Sequence, residues 1–166
     1  MYGPTGLGVL YGKRERLEAL PPYQGGGEMI ATVTMEKSTY ADIPHKFEAG
    51  TPHIEGIIGF GAALSYINSV GIEAIAAHEA ALLDYATKTL STIDGFRIIG
   101  TATKKASGIS FLVDGTHPYD LVLLLDQQVI AVRPRQHSTN PIMNHFSIEG
   151  TALASCARYT TSQEIH

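Results

Sequence analysis

Tryptophan is absent from this chain of 166 residues, and cysteine occurs once, at Cys156. A single thiol excludes an internal disulfide framework and any CxxC metal pair, and it makes a reducing, cytoplasmic setting the default expectation. Long hydrophobic runs are also missing. The longest candidate, Ile54 to Ile67, is interrupted by Gly56, Gly59 and Gly61 and falls short of the roughly 20 apolar residues that span a bilayer. No basic segment followed by an apolar run stands at the start, so no signal peptide is expected. Positive charge is scarce and dispersed: 12 Lys and Arg face 16 Asp and Glu, for a net charge of −4. That balance makes neither the basic stripe of a nucleic-acid binder nor a membrane-surface cluster. The seven histidines, His45, His53, His78, His117, His137, His145 and His166, show no HxxxH or HExxH spacing, so no metal site is expected.

What is present is globular. Apolar residues make up 44% and charged residues 17%, enough for a buried core in one domain, or in a small domain plus a piece of another. Both ends look cut. The chain opens on a Gly/Pro turn, and Thr161 to Glu164 has the spacing of a capping box with only two residues to follow. No internal repeat appears.

Hydrophobic period and turn residues predict a strand in Gly6 to Tyr11, a helix from Arg14 to Leu20 stopped by Pro21-Pro22, and a strand from Ile30 to Met35. Lys37 to Pro52 reads as a long loop. Helices are expected over Ile54–Val70 and Ile72–Ser91, with Gly71 as a C-cap between them. Short pieces then alternate: strands at Phe96–Ile99, Ile109–Val113, Ile130–Arg133 and Ala152–Tyr159, and helices at His117–Gln127 and Pro141–Phe146. This pattern predicts an α+β layer with helices on one face of a small sheet.

Several motifs carry two readings on their own residues. Gly3-Pro4-Thr5-Gly6-Leu7-Gly8 has the look of a phosphate loop but lacks P-loop spacing, and a turn feeding a strand explains it better. Thr51, ahead of a helix, suits either anion binding or simple N-capping. His117-Pro118 fits a helix start with Asp120 in the first turn. Arg133 to Thr139 is rich in groups that hold anions or move protons, yet a polar surface loop accounts for it as well.

Together these segments resemble the group II cysteine desulfurases of the class V aminotransferase family. The resemblance rests on YGPTGLGVLYGK from Tyr2, PPYQGGGEMI from Pro21, FEAGTPHIEGIIGFGAAL from Phe47, HPYD through LLDQQVIAVR up to Arg133, and Pro141-Ile142-Met143. It runs nearly without gaps from Met1 to His166. It implies the α/β architecture of pyridoxal-phosphate (PLP) fold type I: residues 1–70 would be the C-terminal remnant of the PLP-binding large domain, and 71–166 a small α+β domain truncated at its end. It further implies a homodimer that acts on L-cysteine, with selenocysteine lyase activity as a common companion, and that hands sulfur to an acceptor protein for iron–sulfur assembly. The cofactor lysine of the family would fall immediately before Met1 and is expected to be missing.

The resemblance also assigns residues. Gly50 and Thr51 match the Gly-Thr pair that reaches the phosphate of the other subunit's PLP. Arg133 matches an active-site arginine bearing on substrate, and His137 matches the second histidine of the catalytic loop. The family's catalytic cysteine falls on Ser138, and its carboxylate-gripping arginine falls on Leu153. A serine hydroxyl is far less acidic than a thiol and carries no transferable sulfur, and a leucine offers no bidentate contact. Val129 occupies a place where the family turns on glycine. Cys156, in a strand, is expected to behave as a small buried hydrophobe. With departures concentrated between Leu121 and Thr160, the chain is expected to be a fragment inactive by itself. The alternative is a non-catalytic interaction module pairing with an intact desulfurase or a sulfur acceptor. A transaminase relative fits the motif order less well.

Overall fold

Paired prolines and clustered glycines punctuate the first part of the chain, and the computed structural model shows what they divide. It describes residues 2–135 and 140–165; of Arg135 only the backbone is described. The chain separates into two compact units, Met1–Ser69 and Val70–His166.

The first unit holds α1 (Arg14–Ala19), the antiparallel hairpin β1 (Ile30–Val33) and β2 (Ser38–Tyr40), a 3₁₀ turn at His45–Phe47 and helix α2 (Ile54–Val70), whose last residue lies past the boundary. Helix α1 is short, and two carbonyls of its last turn are secured from a distance: Lys46 Nζ donates to Glu18 O at 2.9 Å and to Leu17 O at 3.3 Å. Helix α2 is built for close approach by its small residues. The His53 ring lies so near Gly56 that a Cβ there would meet it at 2.7 Å, and Pro4 lies 3.3 Å from the Cβ position of Gly59. The opening turn therefore packs on the Gly56–Gly59 stripe, and only glycine leaves that room.

Two expectations are corrected here. Leu7 to Leu10 forms no strand, because no neighbouring strand pairs with it and Val9 and Leu10 stay exposed. Lys37 to Pro52 is not one loop, since Ser38–Tyr40 pairs with Ile30–Val33 and a 3₁₀ turn follows. Thr32 and Thr39 hydroxyls meet across that hairpin, a polar cross-strand pair.

The second unit comprises α3 (Ile72–Leu90), β3 (Phe96–Ile99), β4 (Gly108–Val113), α4 (Pro118–Asp126), β5 (Arg133–Arg135), α5 (Asn140–Phe146) and β6 (Thr151–Ser155). Its four strands form an antiparallel sheet in the order β3-β4-β6-β5. Alternation along β4 turns Ile109 and Phe111 to one face. There they join Ala152 of β6 and Ala86 of α3, with Leu121 and Val122 of α4 packed against them. Each large apolar side chain so buried contributes roughly 1.5–3 kcal/mol, and the stacked Phe96 and Phe111 rings, 4.8 Å apart, add specific geometry.

Helix α4 starts as its sequence suggests: His117 Nδ1 accepts from Tyr119 N at 3.2 Å, and Pro118 opens the helix. Its end moves the next strand. Ile130 N bonds Leu125 O at 3.0 Å and Val129 N bonds Asp126 O at 2.9 Å, with Val129 at φ +63°. This is a Schellman cap. It consumes Ile130, so β5 begins at Arg133 rather than at Ile130. β6 likewise ends at Ser155 rather than Tyr159, after which Cys156 N turns to Ser107 O at 2.8 Å. The segment from Thr161 forms a turn and not a helix, yet half of the expected capping box is made: Thr161 N donates to Glu164 Oε2 at 2.7 Å.

Candidate functional site

Residues assigned a role by sequence fall into two clusters, one in each unit. In the first unit the cluster is a corner of backbone. Gly50 has φ +83°, a left-handed conformation that a side chain would resist. Its N–H donates to Gly27 O at 2.9 Å, and the same oxygen accepts from Met29 N at 2.8 Å. Thr51 follows, exposed, three residues before α2 begins. The first α2 bond runs from Ile57 N to His53 O at 3.0 Å, so His53 stands at the cap position and the expectation of Thr51 as N-cap is not met. That leaves the Thr51 hydroxyl at the surface.

The contribution of Gly26 to Met29 was not apparent in the sequence beyond three consecutive glycines. A Cβ on Gly26 would lie 3.4 Å from both Ala49 Cβ and Gly50 N, so the two loops approach within van der Waals reach there. Met29 is fully buried, and its carbonyl accepts from Ala41 N at 2.9 Å.

In the second unit the cluster spans the edge strand β5 and its neighbour β6. Arg133 of β5 is the direct cross-strand partner of Leu153 in β6, and Leu153 is the partner of Ser110 in β4. Residues paired in this way share a face. Ala152 and Ala154 point into the core, so Leu153 and Arg133 belong to the opposite face. Leu153 is half-buried beside Gly108, whose Cβ position is 3.6 Å from Leu153 Cδ1, while Arg133 is exposed. His137 and Ser138 lie outside the described residues.

Cys156 sits apart from Arg133 and Leu153 in the register and is buried. Its thiol is pushed above its ordinary value, first by burial and then by the nearby Glu79 carboxylate. That is the opposite of what a nucleophilic or sulfur-carrying thiol needs. Ser107 Oγ lies 2.8 Å from the backbone carbonyl of Cys156 and 3.1 Å from Glu79 Oε2, with one proton to share between those two acceptors. Among the described residues no group of His, Cys, Asp and Glu could hold a metal ion, and no single helix is long and apolar enough to cross a membrane.

The backbone of the chain as a whole recurs in solved structures. The chain superposes on the cysteine desulfurase CsdA from Escherichia coli with a TM-score of 0.91 at 38% identity, over 99% of this chain and 41% of that one. Against the apo cysteine desulfurase from Thermococcus onnurineus NA1 the TM-score is 0.92 at 36% identity, over 98% and 41%. The fold is thus that of the PLP-dependent fold type I enzymes.

Within that class, the chain belongs to the aminotransferase class-V family, whose pattern it matches over residues 1–166. It is 46% identical over 165 residues to a probable cysteine desulfurase of Xylella fastidiosa and 50% identical over 167 residues to one of Streptomyces coelicolor, in each case over 99% of this chain. It spans 40% of the length of those curated relatives. A more distant structure of the same fold, C-DES at 23% identity and a TM-score of 0.78, carries glycine covalently linked to its PLP cofactor.

PLP can be tested against the residues at hand. An exposed hydroxyl beside a backbone corner held by a positive-φ glycine suits a phosphate ester oxygen. Gly50 and Thr51 fit that part of the cofactor, and the fit extends no further than the phosphate.

Proposed function

We propose that this chain is part of a PLP-dependent L-cysteine desulfurase, a cytoplasmic homodimer that converts L-cysteine to L-alanine and passes the sulfur as an enzyme persulfide to an acceptor protein for iron–sulfur assembly. The register that sets Arg133 directly against Leu153 carries the reading. It gathers two positions of the family's substrate contact on one face of the sheet. In this reading Thr51 donates to the phosphate of PLP, and the Arg133 guanidinium faces the substrate carboxylate. When bound, PLP supplies the electron sink that such chemistry requires.

The chain by itself does not turn over cysteine. Ser138 stands where the family's thiolate attacks the substrate sulfur, and its hydroxyl cannot hold a sulfane sulfur. Leu153 replaces a guanidinium with an aliphatic group, so the carboxylate loses a charge-assisted contact worth roughly 1.5–3 kcal/mol.

The test grafts this chain in place of the matching segment of an intact cysteine desulfurase. The graft is expected to release neither alanine nor sulfide from L-cysteine above a PLP-only control. The graft carrying Ser138→Cys and Leu153→Arg together is expected to recover both products. Turnover by the unaltered graft would refute the assigned roles of Ser138 and Leu153, and a silent double variant would refute the desulfurase reading. The second reading is a non-catalytic module that pairs with an intact desulfurase or a sulfur acceptor. It is favoured by the exposed apolar surface of the first unit, including Ile57, Ile58 and Leu64 on α2.

A further inference from the structure

We infer that Glu28 is a positioning residue for the Gly50–Thr51 phosphate corner, acting through the carbonyl of Gly27; the inference rests on the cofactor reading above. Glu28 has φ +67°, uncommon for a residue with a side chain. Across it Met29 N bonds Gly27 O at 2.8 Å, closing a three-residue turn of the rare positive-φ hand. Such a conformation persists only where the surroundings over-determine it. Here they do so from two sides. Met29 is fully buried and holds the hairpin through Ala41 N, and Gly27 O holds Gly50 N.

Turning at Glu28 aims the Gly27 carbonyl so that both of its lone pairs are used, one by Met29 and one by Gly50. Gly50 is thereby fixed from outside its own loop. On the other side of Thr51, α2 is fixed by His53 seated against Gly56. The threonine thus sits between two anchored points, the preorganisation that binding a phosphate at a surface corner requires. The Glu28 side chain is exposed; its backbone conformation does the positioning.

The test uses the full 166-residue chain and two readouts: amide exchange at Gly50, and binding of pyridoxine 5′-phosphate against pyridoxine, which lack the aldehyde that reacts with lysine. Glu28→Pro cannot adopt a positive φ, and Glu28→Gly adopts it freely. In Glu28→Pro, exchange at Gly50 is expected to quicken about tenfold, the worth of one hydrogen bond, with Ile109 in the second unit unaffected. The preference for the phosphorylated probe is expected to fall by a similar factor. Glu28→Gly is expected to keep both properties, which separates positioning from a general structural role.

If Glu28→Pro changes neither readout, or if Glu28→Gly loses both, the inference is overturned. A wild-type chain with no preference for the phosphorylated probe would overturn the cofactor reading, while Gly50 exchange would still decide the coupling of Glu28 to the corner. Should Glu28→Pro lose cooperative unfolding, Glu28→Val, whose β-branch resists the same positive φ, is read against the same expectations.

Discussion

Val129 places a β-branched side chain where the backbone must turn left-handed. Its φ of +63° belongs to the cap that ends α4, and the side chain, 93% exposed, gains no packing in return. The left-handed conformation costs an ordinary residue roughly 1–2 kcal/mol, whereas glycine brings back some 0.5–1 kcal/mol as unfolded-state entropy. Val129→Gly is therefore expected to stabilise the chain by about 0.5–1 kcal/mol, seen as a thermal midpoint higher by a few degrees. Ser147, at φ +53°, occupies the matching place after α5, where Ile148 N bonds Met143 O at 3.0 Å. Lacking the β-branch, it should gain less from glycine; an equal gain would show that branching is not the cause. Cys156 gives a second expectation at this scale. Its thiol is held above the ordinary value of 9.0 by burial and by Glu79. A group raised in the folded state contributes stability that is fully present below the unfolded value and is lost as pH rises through the folded one. The thermal midpoint should thus fall as pH climbs past about 9, and thiol reagents at pH 8 should label unfolded chain well ahead of folded chain. Rapid labelling of the folded chain would contradict the burial argument.

Elements with strong period and clear punctuation were legible from sequence. Helix α2 and strand β3 begin and end where glycine, proline and apolar spacing place them, and α3 differs by one residue. What was not legible depended on partners. Leu7 to Leu10 has strand composition but no neighbour, and β2 is too polar to stand out from a loop until β1 pairs with it. β5 shifted because the cap after α4 used Ile130, a choice made by hydrogen bonds rather than by hydropathy. The same limit applies to the candidate site. Gly50 and Thr51 were found through motif resemblance, and Arg133 and Leu153 likewise, but no residue pattern announces a positive φ at Glu28 or a carbonyl shared by two amides. Element scale also yields a direct test of the small-residue stripe on α2. A Cβ on Gly56 would stand 2.7 Å from the His53 ring. Gly56→Ala should cost roughly 1–3 kcal/mol, as overpacking does, despite the better helix propensity of alanine. A neutral or stabilised melt would mean that His53 moves aside freely.

On the scale of the whole molecule, the two units differ in how far they can stand alone. The second has a contiguous core joining α3, α4 and the sheet, centred on Ala86, Ile109, Phe111 and Ala152. Among the described residues of the first, Met29, Gly56 and Ala63 are buried, while Leu10, Ile58 and Met35 remain 67%, 70% and 98% exposed. Small units with little buried apolar area do not offset the entropy of ordering their chain, and contiguous exposed apolar surface promotes association. Residues 70–166 produced alone should therefore melt cooperatively and remain monomeric. Residues 1–69 alone should melt at a lower temperature than 70–166 and should scatter light at micromolar concentration. Covering the exposed face, by joining the segment to the matching upstream part of a cysteine desulfurase, should raise that melting temperature and remove the scattering. If 1–69 by itself melts as high as 70–166, its burial is sufficient, and the exposed face of α2 gives no reason to look for a partner.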